Sequence, residues 1–166
     1  MNQLLHVSAS PHIKDRVTTS SIMLDVIIAL IPATLFGIIQ FKINALLIIV
    51  TTITTCVLAE YLYERFMKKT ITIKDLSAVV TGLILALNLP STVPLWLPVI
   101  GGFFAIIVVK QFYGGLGQNF MNPALAARCF LLISFTGRMT NFVFDGMTSS
   151  TPLAILKNGE SFDLIR

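Results

Sequence analysis

Long apolar runs separated by short polar ones set the pattern of this chain. Residues 43–59, INALLIIVTTITTCVLA, and residues 76–109 carry no charged side chain. A helix needs roughly 20 apolar residues to cross the hydrocarbon core of a bilayer. The longer run therefore holds either two crossings or one crossing and a re-entrant piece. A first span is predicted over about 22–41, with Asp25 near its start and Pro32 in its middle, where a membrane helix tolerates a proline and usually kinks. Lys42 and Asn44 close that span, and a second runs from about 43 to 63.

Beyond residue 75 the runs shorten. LSAVVTGLILALNLP stops at Pro90, too soon for a full crossing; STVP at 91–94 makes a turn, Trp96 is placed as an interface anchor, and LPVIGGFFAIIVV leads back to Lys110. NPALAARCFLLISF is short again and ends near Gly137-Arg138. Two short, Gly/Pro-interrupted segments at matching places predict broken helices, of the kind that line cofactor or substrate sites in membrane proteins. The expected fold is an all-α integral membrane protein with about five membrane segments, two of them short or broken, forming the first part of a repeat architecture. Three regions are predicted: an N-terminal arm over 1–21, a membrane domain over 22–137, and a polar to amphipathic segment over 138–166.

Composition agrees with this picture. The chain is 55% hydrophobic and only 12% charged, outside the usual soluble range. Its net charge is +4, but the basic residues sit in short runs between apolar segments rather than on one face, which argues against nucleic acid. ERFMKKTITIKD at 64–75 carries Arg65, Lys68, Lys69 and Lys74, so the positive-inside rule makes this loop cytoplasmic. The basic arm two crossings earlier falls on the same side. Cys56 and Cys129 are far apart, each within an apolar segment and without a CxxC partner, so both are expected to be buried helix residues and no metal site is predicted. No apolar stretch followed by a small-residue cleavage site occupies the N-terminus, and the first membrane helix is expected to serve for targeting.

Two stretches raise questions of chemistry. GGLGQNFMNPALAAR lacks the lysine of a P-loop, the GxGxxG pattern and a surrounding βαβ unit, so a nucleotide fold is excluded. Asn122 is the predicted N-cap of the following helix and Pro123 its first residue. An Asn-Pro-Ala helix start also occurs, in two copies, in water and solute channels; this chain has one. Arg128 lies roughly 9 Å further along the helix. It either snorkels or pairs with a carboxylate, or it contacts an anionic or flavin-like ligand. In DGMTSSTPLAILKNG, residues 145–159, Asp145-Gly146 suits a turn, Thr151 an N-cap, Pro152 a first helical position and Gly159 a stop. No side chain in the chain is needed as a general acid or base.

Three stretches together, DLSAVVTGLILALNLP (75–90), GGLGQNFMNPALAAR (114–128) and DGMTSSTPL (145–153), resemble the RnfD members of the Rnf complex, the ion-translocating ferredoxin:NAD oxidoreductase. The likeness covers essentially the whole chain as the N-terminal half of such a protein. It extends more distantly to the NqrB component of the sodium-pumping NADH:quinone reductase, whose longer N-terminal extension favours the Rnf reading here. The resemblance implies a flavinylation motif at Asp145, Gly146, Thr148, Ser149 and Ser150, with Thr151 as the acceptor of FMN through a phosphodiester. Ser150 stands where many relatives have alanine.

A flavin transferase drawing on FAD would install the group outside the cytoplasm, which makes 138–166 the extracytoplasmic flavin-bearing segment. The resemblance further implies a second, non-covalent flavin such as riboflavin with unassigned contacts, electron relay between other membrane and peripheral subunits, and a multi-pass place in the inner cell membrane. It also implies that the chain is truncated. The rival reading from a different class is a broken-helix solute channel or transporter.

Overall fold

A computed structural model describes residues 17–69, 71–144 and 147–149. It opens with α1, Thr19–Phe66, 48 residues long. Thr18 caps it by accepting from the Ser21 amide at 3.3 Å, and the helix begins three residues before the predicted span. Backbone dihedrals at Pro32 stay helical; the interruption falls at Lys42, with φ 54° and ψ −135°. That conformation is costly for a residue with a Cβ.

The chain reverses there. A straight α1 would put Ser20 roughly 70 Å from Phe66, whereas the residues from Phe66 to Lys74 span at most about 29 Å. Yet Ser20 Oγ donates to the Lys74 carbonyl at 3.1 Å. The two predicted spans are therefore antiparallel arms joined at Lys42, each roughly 35 Å long. Among the described residues, α1 is the helix long and apolar enough to cross a membrane by length and composition.

The second arm keeps its hydroxyls satisfied within the helix. Thr51, Thr52, Thr54 and Thr55 each donate to a carbonyl four residues back, at 2.6–2.7 Å. This is how TTITT sits in an apolar helix without orphaned donors.

After a 3₁₀ turn over Ile73–Asp75 comes α2, Ser77–Leu87, which packs against α1. Gly82 makes that approach possible: a Cβ there would come within 2.9 Å of the Ile53 Cα. Asn88 ends α2 by donating its side-chain amide to the Ile84 carbonyl at 2.8 Å. The predicted turn before Trp96 is present, with Val93 N bonded to Pro90 O and Leu97 N to Pro94 O.

Helix α3, Trp96–Phe103, runs without a break into a π-helix over Phe104–Gln111. A loop with positive φ at Gly114, Gly115 and Gly117 leads to α4, Pro123–Ser134, and the short α5, Thr136–Met139. Asn122 Oδ1 caps α4 by accepting from Ala124 N at 3.0 Å and Leu125 N at 3.4 Å, as its Asn-Pro start predicts. The start of α4 lies by Lys110 and its end by Trp96, so it is antiparallel to the α3–π rod.

The all-α expectation needs one correction. β1 (Phe142–Phe144) and β2 (Met147–Ser149) form a two-stranded antiparallel ribbon, with Phe144 opposite Met147. Aromatic and β-branched residues on either side of Asp-Gly favour a hairpin over a helix.

A core of Ile48, Ile49, Leu83, Leu97 and Leu131 joins α1, α2, α3 and α4. Leu30 and Ile38 of the first α1 arm pack against it. Cys56, Ala59, Ala78 and Ile106 form a second cluster. The expectation of two buried cysteines holds for Cys56 only. Cys129 is exposed on α4, because the buried side of that helix is taken by Ala124, Ala127 and Leu131.

Candidate functional site

One end of the bundle buries charge. Glu60, on the second α1 arm, and Lys110, near the end of the π-helix, are 0% and 2% exposed and pair at 2.6 Å. Lys110 Nζ also donates to Ser77 Oγ at 2.6 Å, and Gln111 Nε2 donates to Glu60 Oε1 at 3.0 Å. The Ser77 hydroxyl in turn donates to Asp75 Oδ1 at 2.6 Å, and the same oxygen accepts the Ser77 amide, which ties Asp75 to the start of α2. Every link crosses between elements or closes a helix end.

Within this network Glu60 is half used. Its Oε1 receives two donors, while Oε2 is buried with no hydrogen-bond partner among the described residues. Desolvating a carboxylate costs several kcal/mol even when it is paired, and a buried oxygen left without a donor adds to that cost. Chemically, such an oxygen can take a proton or a cation.

The π-helix is what brings Lys110 here. Along the rod the buried residues recur every four positions: Leu97 and Pro98, Gly101 and Gly102, Ala105 and Ile106, then Val109 and Lys110, with Gln111 buried beside the last pair. That spacing of four would drift around an α-helix, which turns 100° per residue. A π-helix turns less per residue and keeps the pairs facing inward. Gly102 lets the rod approach α1, since a Cβ there would meet Thr55 Cγ2 at 3.0 Å.

Sequence reasoning placed Glu60 inside the second span and Lys110 at a loop boundary, and linked neither to the other. The signal that could have found them is the four-residue spacing of LP, GG, AI and VK.

Beside this cluster a small cavity of about 90 Å³ is lined by Ser77, Thr81, Lys110, Asn119 and Asn122. On the other side of the α4 start, an apolar groove of about 560 Å³ runs past Phe104, Tyr113, Phe120 and Cys129. Phe104 stacks on Phe130, with ring centroids 4.2 Å apart. Arg128 is exposed and donates to Asn88 Oδ1 at 3.0 Å, so its partner is an amide rather than a carboxylate. Asp25 is exposed on the first α1 arm.

The opposite end of the bundle carries aromatic groups. Trp96 meets Phe135 edge-to-face at 5.1 Å, and the Arg138 guanidinium lies 5.7 Å from the Trp96 ring centroid. Thr92 Oγ1 donates to the Asn141 carbonyl at 2.7 Å, so the entry to the β-ribbon is tied to this end, away from Glu60. Thr148 and Ser149 of the predicted motif lie on β2, across from Val143 and Phe142. Asp145, Gly146, Ser150 and Thr151 lie outside the described residues, as does the helix expected from Pro152 to Gly159.

Residues 6–166 match the family model described as the NQR2, RnfD, RnfE family. The chain belongs to this family. Among relatives in it, the chain is 50% identical to the RnfD-type protein of the Na⁺-translocating ferredoxin:NAD⁺ oxidoreductase complex of Acetobacterium woodii, over 97% of this chain and 52% of that protein. It is 43% identical to the corresponding protein of the proton-translocating ferredoxin:NAD⁺ oxidoreductase complex of Clostridium ljungdahlii, over 91% of this chain and 47% of that one. A third relative, the corresponding protein of the ion-translocating oxidoreductase complex of Aliivibrio salmonicida, is 43% identical over 82% of this chain and 40% of its own length. The chain spans about half the length of the curated relatives it matches. The membership agrees with the resemblance carried by the three sequence stretches.

Proposed function

We propose that this chain is the flavin-bearing portion of the RnfD-type membrane protein of an Rnf complex, which couples ferredoxin:NAD⁺ oxidoreduction to ion transport. The observation that carries this reading is the stretch Asp145 to Thr151, in motif order, within a chain 50% identical to such a protein. Thr151 is the acceptor of FMN, and Asp145, Gly146, Thr148, Ser149 and Ser150 are the residues a flavin transferase reads.

The hydroxyl of Thr151 suits a phosphodiester. A threonine ahead of a Pro-started helix points toward free backbone N–H groups, which favour a phosphate. When bound, FMN supplies the electron-transfer chemistry. The β-ribbon that enters the motif is tied through Asn141 to one end of the bundle, and the buried charge lies at the other. Five runs of alternating direction, two of them short, support about five membrane segments, with the N-terminus cytoplasmic and residue 151 outside. The groove of about 560 Å³ beside the π-helix has the apolar, aromatic lining that a second, non-covalent flavin would use. The partners are the other proteins of the complex.

Covalent attachment is tested by producing the chain together with a flavin transferase and reading flavin fluorescence in a denaturing gel. A fluorescent wild-type band and a dark Thr151→Ala band are expected. A dark wild-type band, or a fluorescent variant band, overturns the assignment.

Glu60 supports the ion-transport half of the reading, because its buried Oε2 accepts no hydrogen bond among the described residues and has the chemistry to take a proton or cation. The names of the two ferredoxin:NAD⁺ relatives differ in the ion moved, sodium in one and protons in the other. In the assembled complex, Glu60→Gln is expected to lower ion transport at least tenfold while gel flavin fluorescence persists. Unchanged transport removes Glu60 from the ion path.

A further inference from the structure

The loop that follows α1 presents charge of one sign. Arg65, Lys68, Lys69 and Lys74 are all exposed, and none forms an ion pair among the described residues. The acids of the same stretch turn the other way. Glu64 is 2% exposed and accepts from the backbone N–H and the hydroxyl of Thr72, while Asp75 is held by Ser77.

Apolar side chains stand among these cations. Phe66 is 84% exposed, and Met67 and Ile71 are each 57% exposed. The loop is also held in shape. Lys68 takes a left-handed φ of 52°, Lys69 N bonds to the Glu64 carbonyl at 2.9 Å, and Lys69 Nζ sits 5.1 Å from the Tyr63 ring centroid. Ser20 ties its far end to the start of α1.

We propose that Arg65, Lys68, Lys69 and Lys74, with the apolar side chains between them, form a preorganised site for anionic phospholipid headgroups. The cations bind the phosphate, while Phe66, Met67 and Ile71 enter the boundary between headgroup and acyl chain. The pattern favours lipid over an acidic protein surface because the exposed apolar groups lie at the end of an apolar helix, where a bilayer boundary accommodates both kinds of side chain. Turning Glu64 inward removes the repulsion that an acid would exert on the phosphate. This inference rests on the membrane placement proposed above, and the loop would then lie at the inner surface.

The test uses the full chain in nanodiscs containing phosphatidylglycerol and phosphatidylcholine, followed by native mass spectrometry of the lipids that remain bound. Wild type should retain phosphatidylglycerol preferentially, with the preference weakening at high salt. In Lys68→Gln/Lys69→Gln/Lys74→Gln the preference should fall by roughly fivefold for each cation removed, and the matching Lys→Arg variant should keep it. Phe66→Ser/Met67→Ser should weaken retention of both lipids.

A wild type without preference, or a glutamine variant that keeps it, overturns the proposal. A wild type that ignores lipid but loses its hold on the complex when the cations are removed overturns it in favour of an acidic protein partner. An environment-sensitive fluorophore on Ile71→Cys, in a Cys129→Ser background, separates the headgroup site from the membrane placement beneath it. A fluorophore that reports water in these nanodiscs refutes the membrane placement itself, whereas a buried fluorophore without lipid preference refutes the headgroup site alone.

Discussion

Lys110 and Arg128 are both basic residues in apolar helices, and the fold treats them in opposite ways. Lys110 is 2% exposed and meets Glu60 and Ser77, from two other elements. Arg128 is exposed and meets only the Asn88 side chain among the described residues. The difference lies in which helix face each occupies. Winding as a π-helix aims Lys110 at α1 and α2, while the α4 face that packs inward is filled by Ala124, Ala127 and Leu131, leaving Arg128 outside. A charge turned inward becomes part of the fold's stability, and one turned outward does not.

The largest effect should come from breaking the inward pair. Glu60→Leu leaves the Lys110 ammonium buried without its counter-charge and should cost about 3–5 kcal/mol in denaturant unfolding of the purified protein. Adding Lys110→Met should recover most of that loss, because the stranded charge is gone; the Gln111 amide, which also donates to Glu60, accounts for the remainder. If the double variant is no more stable than Glu60→Leu alone, the pair is not the source of the cost. The smallest effect belongs to the outward residue. Arg128→Gln should change unfolding of this chain by about 0.5 kcal/mol or less, as expected for an exposed polar contact. A loss as large as that of Glu60→Leu would erase the contrast between the two.

Much of the helical layout was legible from local signals. Asn122 and Pro123 mark the start of α4 because a cap depends only on its neighbours in sequence. The spans meeting at Lys42 were read from hydropathy, and the short α2 from its flanking polar and proline residues. Three features were misplaced or missed, each for a physical reason. The β-ribbon was overlooked because Thr148 and Ser149 were read only as motif positions, although strand-forming residues flank Asp-Gly. Cys129 was expected inside because hydropathy counts a helix as a whole and does not say which face packs. The π-helix was missed because hydropathy registers the apolar run as a whole and not the four-residue spacing of its buried positions.

The sequence by itself determined what depends on near neighbours: where apolar helices form, where they start, and the run of residues from Asp145 to Thr151 that resembles a flavinylation motif. Only the tertiary structure decided which of the charges in those helices would meet. Glu60 and Lys110 are fifty residues apart, and their contact requires the close approach of α2 at Gly82, the approach of the rod at Gly102 and the winding of the π-helix together. Helix signals act over one turn, whereas a buried ion pair exists only when packing removes water from both partners at once.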